Sequence, residues 1–202
     1  MRSRTTSDLP GRCPRCWIRS AFCICAEVPS VATRTEVVVV RHEREGWKST
    51  GTARVALQAL PRSRLIEYSE DGAASDEALL QLSAGAALLF PETGAAPGPL
   101  AEPPSRLIVL DGTWRQTRRM LKRLPSLGSV PRLVLPPKAS TPLRLRESQD
   151  PLGRSTLEAI ADALELLEGE AASSPLQALH ALFVERVFRA RGVWTMKSRV
   201  VA

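Results

Sequence analysis

The chain has 202 residues and is 44% apolar, which suits one domain of ordinary size with a real buried core. Lys and Arg outnumber Asp and Glu by 28 to 21, and only Lys48, Lys122, Lys138 and Lys197 are lysines, so the surplus is arginine and favours an anionic partner. No apolar run approaches the length of a membrane span and the first residues lack the apolar stretch of a secretory signal, so membrane partners are excluded and a cytoplasmic protein is expected.

Residues 1–30 form an N-terminal segment, polar up to residue 12 and then holding every cysteine of the chain. Cys13 and Cys16 are spaced C-x2-C, and Cys23 and Cys25 C-x-C. Such a cluster in a reducing compartment reads as a metal site more readily than as a disulfide framework. Four thiolates suit a closed tetrahedral site for a structural Zn2+ with no open position for catalysis. The competing reading is four reduced thiols without metal. Arg12, Arg15, Trp17 and Arg19 surround the cluster and place it within reach of nucleic acid.

Residues 31–202 read as one α/β domain. A β-branched run at 35–43 predicts a strand, 50–60 a helix closed by Pro61, 63–69 a second strand, 70–76 a turn and 76–83 a short helix. A strand at 85–91 precedes a Pro- and Gly-rich loop at 92–105, and the run at 106–111 is the clearest strand of all. A basic helix is predicted at 113–124, a strand at 131–137, an arginine-bearing loop at 138–154, a helix at 155–169 stopped by Gly169, and a last helix at about 175–191. Continuously apolar strands alternating with helices predict a mostly parallel sheet covered on both faces. In such sheets ligands bind at the C-terminal ends of the strands, where the direction of connection reverses.

The sequence Asp111-Gly112-Thr113-Trp114 falls at one of those ends. Gly112 permits a sharp bend, Thr113 can cap the next helix, and Trp114 offers a face for stacking on a base or packing under a cofactor. A purely structural turn accounts for the same residues. On a helical wheel Arg115, Arg118, Arg119, Lys122 and Arg123 share one face, opposite Thr117, Met120, Leu121 and Leu124. A stripe of like charges with no acid among them disfavours its own helix and predicts a polyanion as partner.

The loop RHEREGWKSTGTAR, 41–54, lacks the GxxxxGK[ST] order of a P-loop. Its Lys48 and Arg54 read as facing nucleic acid, and His42 as a structural hydrogen-bonder before a catalyst. His180, on the apolar side of the last helix, reads as structural.

Six stretches, CPRCWIRSAFCIC, RHEREGWKSTGTAR, LLFP, LDGTWRQTRRML, LRLR and STLEA, occur in an order that resembles the DTW-domain proteins, which are tRNA-uridine aminocarboxypropyltransferases. The resemblance runs from about residue 13 to 168. It implies a fold similar to the knotted RNA methyltransferases of the SPOUT type. It implies S-adenosylmethionine as co-substrate, with the 3-amino-3-carboxypropyl group moving to N3 of a tRNA uridine and methylthioadenosine released. On that basis Asp111 is the expected proton acceptor, beside Thr113 and Trp114, and burial of its carboxylate next to Trp114 would favour that role. The donor is expected among Leu110, Gly112, Leu133, Leu135, Arg144, Ser155 and Thr156, with Arg144 holding its carboxylate or a tRNA phosphate. Ser155 and Glu158 also make a capping box, which explains that sequence without a ligand. Two other functions fit the residues: a methyltransferase of the same fold, and a non-enzymatic zinc-knuckle RNA-binding protein. A monomer is the favoured state.

Overall fold

The β-branched run Val37–Val40 forms an interior strand of a five-stranded sheet, because residues buried on both faces need side chains that pack a pleated surface. The computed structural model describes residues 11–69, 72–91, 100, 102–137, 145 and 153–193. Its strands are β1 (Glu36–His42), β2 (Ser63–Tyr68), β3 (Ala86–Leu89), β4 (Arg106–Asp111) and β5 (Arg132–Leu133), all parallel in the order β2-β1-β4-β3-β5. The helices are α1 (Ala53–Ala59), α2 (Ala73–Leu80), α3 (Trp114–Arg123), α4 (Thr156–Glu168) and α5 (Glu170–Ala190).

Alternate residues of the strands feed two cores. Val37, Val39, Leu107, Val109 and Leu133 pack with α1, α4, α5 and the cysteine segment, whose Ile18 and Ile24 are fully enclosed. Val38, Val40, Ile108 and Leu110 pack with α2 and α3 on the opposite face. From β1 the chain moves outward to β2, and from β4 it moves the other way to β5, so the strand tips of β1 and β4 flank a point of reversal.

Element boundaries differ from the sequence reading for local reasons. The last strand is only Arg132–Leu133, where 131–137 is expected; Pro131, Pro136 and Pro137 have no N–H to extend an edge ladder. Helix α2 starts at Ala73 instead of 76, entered through Gly72 at φ 73°. Helix α5 starts at Glu170 and carries Pro175 inside it, whereas a start at 175 treats that proline as a first-turn residue. Gly169, at φ 91°, ends α4 and begins α5 in a single residue, so the two helices fold back along each other. The C-terminal end of α4 is pinned to the sheet, because the Glu168 carboxylate accepts the amides of Arg34 and Thr35 at 2.9 and 2.7 Å.

Candidate active site and nucleic-acid interface

Strand β4 delivers Asp111 to its own C-terminal tip, in register with Arg41 of β1. Asp111 is 6% exposed, and its carboxylate accepts the hydroxyl of Thr156 at 2.6 Å. Thr156 is the first residue of α4, so one hydrogen bond joins two elements 45 residues apart in the chain. Asp111 is not the helix cap. That role belongs to Thr113, whose Oγ1 accepts the Gln116 amide at 3.4 Å while the Gln116 Oε1 accepts the Thr113 amide at 2.7 Å. Helix α4 opens with the same device: the Glu158 amide donates to Ser155 Oγ at 3.3 Å and the Ser155 amide to Glu158 Oε2 at 2.8 Å. His180 braces this cap through a 3.1 Å bond between Nε2 and Ser155 Oγ, and burial pushes its imidazole below the ordinary value, which keeps it neutral.

Between these two capped turns lies a cavity of about 320 Å³, walled by Leu89, Phe90, Leu110, Leu133 and Leu135 and rimmed by Gly112, Trp114, Ser155 and Thr156. Of the residues expected around a donor, Leu110, Gly112, Leu133, Leu135, Ser155 and Thr156 all line it; Arg144 lies outside the described residues, as do Lys138 and Arg146. Trp114 is 37% exposed and does not fill the core. It meets Phe90 edge-on at 6.2 Å, so two aromatic rings overhang the opening, and the burial of Asp111 does not depend on the indole being enclosed. Arg154, at the cavity edge, donates to Asp162 at 2.7 Å and to the Pro136 carbonyl at 2.6 Å, clamping the stretch after β5 against α4. Phe90 and Arg154 are lining residues that sequence periodicity does not single out, since each belongs to the wall only through the order of strands.

Helix α3 shows the partition expected of it. Arg115, Arg118, Arg119, Lys122 and Arg123 are exposed, while Thr117, Met120 and Leu124 are buried and Leu121 is half-buried. Lys48 and Arg54 are placed differently from that stripe. Lys48 pairs with the buried carboxylate of Glu45. Arg54 turns inward, donating to the Gly46 carbonyl and lying 4.2 Å over the Trp17 ring. Burial and the nearby Arg41 draw its guanidinium down to about 10, and the carboxylate of Asp111, within electrostatic reach, works against them.

The four cysteines converge. All their sulfurs lie within 4.8 Å of one another, with Cys13 to Cys25 at 3.6 Å and Cys16 to Cys23 at 3.9 Å. Zn–S bonds in a tetrahedral site put sulfurs about 3.8 Å apart. The thiols therefore sit at the spacing of a tetrathiolate centre and far beyond that of a disulfide. Burial pushes the Cys13 thiol up, but the amides of Cys16 and Arg15 and bonds from Cys23 and Cys25 outweigh it and bring it down to about 6; burial, then the neighbouring sulfurs of Cys13, Cys23 and Cys16, hold Cys25 up. The cluster could hold a metal ion and is compatible with structural zinc. It is seated on α1 by Gln58, whose amide donates to the Arg15 carbonyl at 3.2 Å.

A family model described as DTW domain matches residues 11–188. No solved structure matches the chain. No helix among the described residues is long and apolar enough to cross a membrane.

Proposed function

The chain belongs to the DTW-domain family, a membership consistent with a tRNA-modifying enzyme, and from that premise we propose that it transfers the 3-amino-3-carboxypropyl group of S-adenosylmethionine to N3 of a tRNA uridine. The observation that carries the reading is the cavity beside Asp111. It is walled by apolar side chains on three strands, it is lined by two aromatic rings, and its rim holds Thr156, whose hydroxyl donates to the buried carboxylate of Asp111 just behind the wall. Apolar walls with a few fixed polar groups are what a nucleoside with a charged side arm requires.

When bound, the donor supplies a sulfonium carbon whose C–S bond breaks, releasing a neutral thioether, as the bond to uridine N3 forms. The protein's task is then position and proton handling. Asp111 accepts the N3 proton, and Thr156 fixes the carboxylate so that it meets the base edge in one orientation. Leu110, Gly112, Leu133, Leu135, Ser155 and Thr156 hold the donor, and Trp114 covers the base. The stripe of α3 binds tRNA phosphates, and the four cysteines hold Zn2+ as a structural ion. The chain acts as a cytoplasmic monomer in this account.

One incubation tests the chemistry. Purified protein, unmodified tRNA and S-adenosylmethionine should yield methylthioadenosine and an aminocarboxypropyl-uridine by mass spectrometry. S-adenosylhomocysteine with a methylated nucleoside would mean that the same cavity serves a methyltransferase. Binding of tRNA without turnover would leave only an RNA-binding module.

A further inference from the structure

Behind the cavity, on the face of the sheet that carries α2 and α3, lies a second recess of about 710 Å³. Its walls include His42 at the tip of β1, Tyr68 at the tip of β2, and the arginines Arg44, Arg115, Arg119 and Arg123. The first turn of α3 is the partition between the two spaces: Gly112, Trp114 and Thr117 face the cavity, while Thr113 and Gln116 face the recess. No carboxylate is among the described residues that line it.

Three features mark it as a site and not a gap in a basic surface. Tyr68 is 3% exposed, yet its buried hydroxyl has no hydrogen-bond partner among the described residues. A buried hydroxyl left unmatched destabilises the free protein, and one on a residue that lines a recess can be matched by a ligand there after a small turn of the ring. His42 lies 5.8 Å from Tyr68, brought there because the two residues are register partners of neighbouring strands. Its Nδ1 accepts the Arg44 amide at 3.2 Å, and burial pushes the imidazole below the ordinary value, so the neutral ring carries its proton on Nε2. The recess thus gathers donors: a phenol, an imidazole N–H and the guanidinium groups of Arg115 and Arg119, in a wall that Arg44 and Arg123 make more positive.

We propose that this recess is a second nucleotide subsite, which takes a phosphate-bearing nucleotide of the same RNA strand, near the one being modified. The inference rests on the reading that RNA is the substrate. The strand crosses the first turn of α3, with the target base on the Trp114 side and its neighbour's phosphate between Arg115 and Arg119. The Tyr68 hydroxyl and the His42 Nε2–H donate to that nucleotide. This assigns the α3 arginines nearest the turn to one phosphate, and leaves Arg118 and Lys122 to contacts farther along the RNA.

The decisive variant is Tyr68→Phe, because the two roles of the hydroxyl predict different results. Removal of an unmatched buried hydroxyl leaves Tm unchanged or raises it, while loss of a ligand contact weakens binding of unmodified tRNA about tenfold. Equal tRNA affinity for Tyr68→Phe and the parent protein overturns the subsite. A second arm uses tRNA carrying one neutral methylphosphonate linkage at a time around the target uridine. One position should weaken binding to the parent protein about tenfold and have no further effect on an Arg115→Gln, Arg119→Gln protein. A uniform profile, or a position whose effect persists in that double variant, overturns it as well. If these binding effects appear but no aminocarboxypropyl-uridine forms, the transferase reading fails and the subsite stands. If transfer proceeds and Tyr68→Phe binds normally, only the subsite fails, and absence of any tRNA binding removes both.

Discussion

Thr156 gives its hydroxyl to Asp111 across 2.6 Å, and that bond makes the start of α4 part of the same site as the end of β4. Thr156→Val keeps the shape and removes the donor. Leaving a buried carboxylate without that bond costs about 1–3 kcal/mol of stability. Transfer should fall at least about tenfold, through kcat, because the carboxylate loses its fixed orientation. Affinity for tRNA should stay within about twofold. Single-turnover assays and filter binding check the two halves separately, and a variant with full kcat would show that Thr156 is only a packing residue.

Replacing Arg118 and Arg119 by Gln should lower the slope of log Kd against log salt by about one to two, because each phosphate contact that is lost releases about one counterion fewer. Neither side chain is buried, so Tm should hardly change. A slope equal to that of the parent protein would place the RNA on another face.

One zinc per chain is expected by elemental analysis, and removing it with a strong chelator should lower Tm. Each kcal/mol lost moves the midpoint by about 2–4 °C in a chain of this size. Cys16→Ser, at the most buried of the four positions, should reproduce the effect without chelator. A chelated protein that melts unchanged would return the cluster to four ordinary thiols.

Both histidines of the chain are held below their ordinary value of 6.5 by burial. In the unfolded chain they take up protons near that ordinary value; in the folded protein they do so only at lower pH. The unfolded state then binds more protons, so their contribution to stability is complete above pH 6.5 and is lost as pH falls toward the folded values. Tm should decline on acidification below that point. His180→Gln should flatten part of the decline, because His180 is the more buried of the two. A parent protein with the same Tm at pH 7 and pH 5 would contradict this.

The parallel sheet was legible because Val37–Val40 and Leu107–Leu110 are apolar without interruption, which only a strand covered on both faces tolerates. The tip of β4 was legible for the same reason, as the place where that run meets a carboxylate and a glycine. The recess around Tyr68 was not. His42 and Tyr68 lie on different strands, and only the register of β1 against β2 sets them side by side. The direction of Arg54 was equally invisible, since an arginine after a glycine-rich loop reads as solvent-facing until the Trp17 ring appears beneath it. The start of α5 escaped because a proline is a good first-turn residue and a poor interior one, and packing of α5 along α4 overrode that preference.

Trp17 holds φ at 63°, a left-handed conformation that its side chain makes unfavourable by about 1–2 kcal/mol, and its amide closes a turn on the Cys13 carbonyl at 2.9 Å. The sulfur cluster and the indole are thus set by a single loop, and on that indole rests the guanidinium whose charge reaches Asp111. Disorder at the four sulfurs would therefore reach the carboxylate at the tip of β4 by way of Trp17 and Arg54.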